Sequence, residues 1–142
     1  MLVANHTQII LSIPTCGKNL HNVTERVQSV VRNSEVQTGL CNLFLRHSSA
    51  SLIIQENADP DVLFDLEKFF ARLIPENIDL YCHSSEGDDD MPAHIRTALT
   101  STSETIPIAN GHLMLGTWQG IYVWEHRSLG RIREMVVHIC GN

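Results

Sequence analysis

The sequence is short of charge, of aromatic rings and, above all, of basic residues. Of its 142 residues 18% are charged and 6% aromatic, and 10 Lys and Arg stand against 16 Asp and Glu, a formal charge of −6. That balance argues against a nucleic-acid module, which needs a basic face for the phosphates. No apolar run approaches the roughly 18 residues of a membrane helix. Met1 to Pro14 has no basic segment ahead of Ile9-Ile10-Leu11, and that run is too short for a secretion signal. A soluble, cytoplasmic protein with neither membrane nor nucleic acid as partner is expected. Also missing are a P-loop, a Gly-x-Gly-x-x-Gly turn and a Gly-x-Ser-x-Gly elbow. Serine catalysis by Ser48, Ser49 or Ser51 beside His47 therefore has no local support. Cys16, Cys41, Cys82 and Cys140 include no Cys-x-x-Cys pair, and they read as buried free thiols in a reducing compartment. No repeat, linker or low-complexity tail divides the chain, so residues 1–142 read as one domain.

What is present is a 43% hydrophobic chain with clear periodicities. His6 to Pro14 reads as a strand. Asn22 reads as a helix cap with Glu25 as its capping-box partner, and Val23, Val27, Val30 and Val31 follow on one face. Leu40–Arg46 and Ala50–Gln55 read as a pair of strands joined at Ser48-Ser49. Asp59-Pro60 opens a helix, a capping carboxylate followed by proline, which continues through Leu63, Leu66, Phe70 and Leu73 to Pro75. A short helix begins near Pro92, with Asp90 as a candidate cap. Strands follow at Thr105–Ala109, at Leu113–Glu125 with a break near Gly116 or Gly120, and at Arg131–Cys140. Met135, Val137 and Ile139 alternate with Glu134, Val136 and His138 in the last of these. Strands outnumber helices, so the expected class is α+β: a mostly antiparallel or mixed sheet flanked by helices.

Eight histidines is a high count for this length. His47, His83 and His94 lie at element ends, where side chains converge, and three imidazoles with an open position suit a transition metal such as zinc. No His-x-His or His-x-x-x-His links them, so three separate surface or capping histidines fit the spacing as well. Glu86-Gly87-Asp88-Asp89-Asp90 lies between His83 and His94. Its oxygens suit a hard cation such as Mg²⁺ or brace the histidines from behind, and an exposed acidic loop is the plain alternative. Glu56 has no capping duty and is a candidate base. In Gly116-Thr117-Trp118-Gln119-Gly120, Trp118 suits stacking on a planar ring and Gln119 reading its edge. A bulged strand with Trp118 in the core or an oligomer interface is the alternative. Arg127, Arg131 and Arg133 flank a turn and suit a phosphate clamp, or else decorate a solvated hairpin tip.

The chain resembles the YjbQ family of small proteins, whose members are described as secondary thiamine-phosphate synthases. The resemblance rests on His47-Ser48-Ser49-Ala50-Ser51-Leu52, on Glu56-Asn57-Ala58-Asp59-Pro60 and on Glu86 through Ile95. Leu115-Gly116-Thr117-Trp118-Gln119-Gly120-Ile121-Tyr122 and Glu125-His126-Arg127 complete it. These segments come in the family's order, and the resemblance covers roughly residues 5–141. The resemblance implies an α+β homotrimer with a metal-binding pocket around His47, His83 and His94 near a subunit interface. Glu56, Glu86, Asp89, Trp118 and Gln119 would line or support it. Ser48 where threonine is usual, His112 where arginine is common, and few glycines and basic residues over Leu129–Glu134 depart from the family pattern.

The implied reaction joins a pyrimidine-methyl diphosphate to a thiazole phosphate and releases diphosphate. In it His47 and Glu56 would be catalytic, a divalent metal (zinc, another transition ion or Mg²⁺) would neutralise the leaving group, and Thr117, Trp118, Gln119, Glu86, Asp89 and Arg131 would contact the phosphorylated substrate. A metal-dependent hydrolase and a non-catalytic metal- or ligand-binding trimer are the alternatives.

Overall fold

The computed structural model describes residues 3–142. Eight strands and three α-helices make an α+β domain of two antiparallel sheets. Strands β1 (Asn5–Pro14), β3 (Thr38–Leu45), β5 (Ser103–Ala109), β6 (His112–Leu113) and β8 (Ile132–Gly141) form the larger sheet, in the order β1-β8-β3-β5-β6. Strands β2 (Asn19–Asn22), β4 (Ala50–Glu56) and β7 (Gln119–Glu125) form the smaller one, with β7 in the middle. Helices are α1 (Thr24–Ser34), α2 (Pro60–Leu73) and α3 (Asp90–Leu99), with a 3-10 turn at Ile78–Leu80. No helix among the described residues is long and apolar enough to cross a membrane.

The core lies where the inner faces of the two sheets meet α1. Met135, Val137 and Ile139 of β8 and Cys41, Leu43 and Leu45 of β3 are buried there with Leu52, Ile121 and Val123 of the smaller sheet. Val23, Val27, Val30 and Val31 close the core from the α1 side, as their spacing predicts. The α1 start differs from expectation: Asn22 Oδ1 accepts from Thr24 N–H and Thr24 Oγ1, while Glu25 pairs with Arg32 instead of completing a capping box. Asp59 caps α2 through the Asp61 amide at 2.9 Å, as expected.

The expected pairing of residues 40–46 with 50–55 does not occur. Both segments are strands, but β3 pairs with β5 and β8, whereas β4 crosses to the other sheet and pairs with β7. The two patterns look like one hairpin because Cys41, Leu43 and Leu45 and then Ala50 and Leu52 all face the same core, from opposite sheets. The sharp corner at residues 46–49 makes the crossing. Asn110-Gly111, both at positive φ (51° and 73°), form the two-residue turn between β5 and β6.

His126 is fully buried on the α2 side of the smaller sheet, its Nε2 2.8 Å from Ser51 Oγ. Ser51 is thus sealed away with a histidine that no solvent reaches. Burial, reinforced by the positive charges of Arg96, Arg133 and Lys18, pushes the His126 pKa down to about 3. The unfolded value is about 6.5. Between the two, the unfolded chain binds a proton that the folded chain refuses, so stability rises with pH to about 6.5 and then levels off. Falling from pH 7.5 to 5 should cost about 2 kcal/mol from this residue. Urea melts at pH 7.5, 6 and 5 should record that decline. His126→Gln, which can still bond Ser51, should keep only the shallower slope of His21 and His47, whose pKa values burial also lowers. An unchanged slope in the variant would contradict this account.

Candidate functional site

Three ligand-type side chains converge where α3 meets the corner after β3. His83, Asp90 and His94 each offer one atom within 4.8 Å of the other two. His83 arrives on the loop after the 3-10 turn. Asp90 and His94 sit one turn apart on α3, four residues being the spacing that puts two side chains on one helix face. Asp90 is only 2% exposed. Its Oδ2 lies 2.5 Å from His83 Nε2 and 3.2 Å from His94 Nε2, and its Oδ1 accepts from Arg127 Nη1 at 2.6 Å. Desolvation would raise its pKa, but the His83 hydrogen bond and the Arg127 charge outweigh it and hold the carboxyl below the usual carboxylate range. Asp90 is therefore ionised.

The tautomer of His94 follows from its neighbours. Nδ1 lies 2.8 Å from the Ser48 carbonyl, which can only accept, so Nδ1 carries a proton. In the neutral ring Nε2 is then a bare lone pair, yet it faces an ionised carboxylate oxygen at 3.2 Å. Two acceptors repel at that distance unless a cation or a second ring proton stands between them. Two imidazoles and a carboxylate, with His94 oriented by a backbone carbonyl and Asp90 by an arginine, are a donor set that fits a transition metal with open positions.

The remaining nominated residues are spread over the molecule. Glu86 lies beside the trio: its side chain is 3.8 Å from His83 Nε2 and its carbonyl accepts from Arg127 Nη2. Asp89 does not face outward to a substrate. Its Oδ2 accepts from Arg127 Nε and from the Ser128 N–H and Oγ, which together outweigh desolvation and take its pKa to about 2.

His47 lies outside the convergent trio. Its Nε2 accepts the Glu134 N–H at 2.7 Å, and its Nδ1 is 3.4 Å from Arg133 Nη1. The β3–β8 ladder ends at Leu45 and Met135, so the Glu134 amide would otherwise lose its partner, and the His47 ring replaces the missing backbone acceptor. Arg131 sits exposed at the turn before β8, with its backbone bonded to Thr15.

Glu56, Thr117, Trp118 and Gln119 gather at the opposite end of the smaller sheet. Ala50 pairs with Glu125 and Glu56 with Gln119, so six residue steps, about 20 Å of strand, separate the two ends. Glu56 Oε2 accepts the Asp59 N–H, a capping duty that its sequence position did not reveal. Gln119 Oε1 closes its own loop on the Gly116 N–H, while Asn57 holds the Thr117 and Gln119 carbonyls. Trp118 is 63% exposed, so it is not a core residue of this chain. A cleft of about 560 Å³ opens between β2 and α2 and is lined by Lys18, Leu20, Leu63 and Phe64 among others, but by none of the nominated residues.

Sequence reasoning treated Asp90 only as a cap or a member of an acidic run. The missed signal was the Asp90-x-x-x-His94 spacing on a helix. The role of Arg127 behind Asp90 had no local signature.

Comparison with known proteins agrees with the fold and the motifs. The profile described as UPF0047 protein YjbQ-like matches residues 9–142. A UPF0047 protein of Synechocystis is 63% identical over 94% of this chain and 91% of its own length. The UPF0047 protein YjbQ of Escherichia coli O157:H7 is 39% identical over 94% of this chain and 97% of its own. Among solved structures, a YjbQ/UPF0047 protein of Clostridium acetobutylicum superposes with a TM-score of 0.84 at 36% identity, covering 92% of this chain and 98% of that one. A YbjQ-like protein of Sulfolobus solfataricus shares the fold at a TM-score of 0.90 and 22% identity, over 99% and 100% of the two chains. The chain belongs to the YjbQ (UPF0047) family.

Proposed function

We propose that this protein is a metal-dependent enzyme acting on a phosphorylated small molecule, with His83, Asp90 and His94 holding one divalent ion. The observation that carries the reading is His94 Nε2 facing an ionised Asp90 oxygen 3.2 Å away while Nδ1 is committed to Ser48. Two imidazoles favour zinc or another transition ion over Mg²⁺. When bound, such an ion supplies Lewis acidity and positive charge against a leaving phosphate or diphosphate. His83 and His94 hold it with neutral rings, Asp90 supplies the negative charge, and Arg127 keeps that carboxylate ionised and in place. Thiamine-phosphate formation from a pyrimidine-methyl diphosphate and a thiazole phosphate is the reaction the family resemblance implies, and we take it as the first to assay. In that reading exposed Trp118 stacks on a planar ring.

The same reading takes the working unit as a homotrimer. Ile10, Leu40 and Phe44 are about half exposed on the outer face of the larger sheet, an apolar surface that a second copy would cover. Assembly is also the simplest way for the Trp118–Glu56 end of one protomer to meet the Asp90 end of another, since about 20 Å separates them along one sheet.

Two measurements test these statements. Isothermal titration with Zn²⁺ and Co²⁺, with elemental analysis of the untagged protein, should find about one ion per chain. His94→Ala or Asp90→Asn should weaken binding at least 100-fold, whereas His47→Ala should leave it within about threefold. Should the native protein bind neither ion while His94 is doubly protonated at pH 7, the ion is replaced by a proton and His94 becomes an acid–base group. Analytical ultracentrifugation should find a trimer that Phe44→Glu dissociates, and a native monomer would end the trimer reading.

A further inference from the structure

Among the ion pairs of the described residues, only Glu125–Arg133 has both side chains at 2% exposure or less. Arg133 Nε and Nη2 both donate to the Glu125 carboxylate, and Thr15 Oγ1 donates to its Oε1 at 2.6 Å. The pair makes no recorded bond to His83, Asp90 or His94. It reaches them through two short stretches of chain.

The first stretch is the corner after β3. Arg133 Nη2 donates to the Ser49 carbonyl at 3.1 Å and to Ser49 Oγ at 3.0 Å. On the other side of Ser48, the His47 ring is fixed on the Glu134 amide. Ser48 is thereby held between two anchored neighbours, and its carbonyl takes the His94 Nδ1–H. The second stretch is the end of β7. Glu125 Oε2 accepts the N–H groups of His126 at 3.1 Å and Arg127 at 3.2 Å. Arg127 then donates to Asp90 Oδ1.

We infer that the buried Glu125–Arg133 pair positions the proposed ion site, fixing through Ser48 which nitrogen of His94 is bare and through Arg127 where Asp90 sits. The inference rests on the ion-binding reading of His83, Asp90 and His94. The attraction within the pair is not by itself needed for fold stability, because packed apolar side chains of similar size commonly replace a buried ion pair without loss. An apolar pair, however, offers no directional bonds to Ser49 or to the amides of residues 126–127. Glu125 and Arg133 are thus positioning residues, and the geometry of His94 and Asp90 is what they control.

The test compares the native protein with the double variant Glu125→Leu/Arg133→Met, using Co²⁺ as probe and the ¹⁵N spectrum of the histidine rings as an independent readout. The native apo protein should show His94 protonated at Nδ1. The double variant should fold, bind Co²⁺ about 10- to 100-fold more weakly, and show a mixture of His94 tautomers. A folded double variant with native Co²⁺ affinity and an unchanged His94 spectrum overturns the inference. Should the double variant fail to fold, Arg133→Lys carries the same comparison, because it keeps charge against Glu125 but lacks the fork that reaches Ser49. Native His94 protonated at Nε2 and bare at Nδ1 overturns the inference whatever the variants do. Failure of the native protein to bind Co²⁺ removes the ion reading alone, and the His94 spectrum still judges the positioning.

Discussion

A carboxylate at 2% exposure has to be compensated, and much of the architecture around Asp90 supplies the compensation. Arg127 comes from the end of β7, His83 from the loop after the 3-10 turn, and His94 from the next turn of α3. Each partner sits on a different element, so Asp90 is satisfied only when α3 has docked on β4 and the smaller sheet has formed. Thr97 Oγ1 on the Ala50 carbonyl helps to set that docking. The candidate centre is thus a product of the whole fold rather than of a local loop.

The crossing between sheets gives this centre its backbone support. A hairpin at residues 46–49 would have spent the Ser48 and Ser49 carbonyls in a tight turn. Because β4 leaves for the other sheet instead, the corner stays open: Ser48 orients His94, while Ser49 receives Arg133. The His47 ring then completes a ladder that has run out of backbone. A histidine that looks like a metal ligand in the sequence does the work of a carbonyl in the fold.

The outer surface has a different logic. β3 presents Leu40 and Phe44 outward and Cys41, Leu43 and Leu45 inward, so both faces of that strand carry apolar side chains. α2 leaves Phe64, Phe69 and Leu73 exposed and buries no residue fully. Covering such surfaces is the usual function of association between chains. The Trp118 end and the Asp90 end lie about 20 Å apart along the smaller sheet.

Local chemistry made much of the fold legible. Asp59-Pro60 is a helix start wherever it sits, because a capping oxygen and a preset φ act within three residues. The valines of α1 and the alternation of Met135, Val137 and Ile139 report burial on one face, and the family motifs report the fold class. Sheet membership was decided only in three dimensions: an alternating pattern says that one face is buried, not which partner buries it, so β3 and β4 looked like a hairpin. The site followed the same division. The sequence drew His83, His94 and the acidic segment between them into one candidate set, because they are close along the chain. It grouped His47 with them, whereas the fold sets the His47 ring on the Glu134 amide, 87 residues away along the chain. It offered Asp90 only within the acidic run or as a cap, since a carboxylate at a helix start shows no special partners until two rings and an arginine close on it. Glu125 and Arg133 carry no motif of their own as a pair, because their meaning depends on what Ser49 and Arg127 touch next.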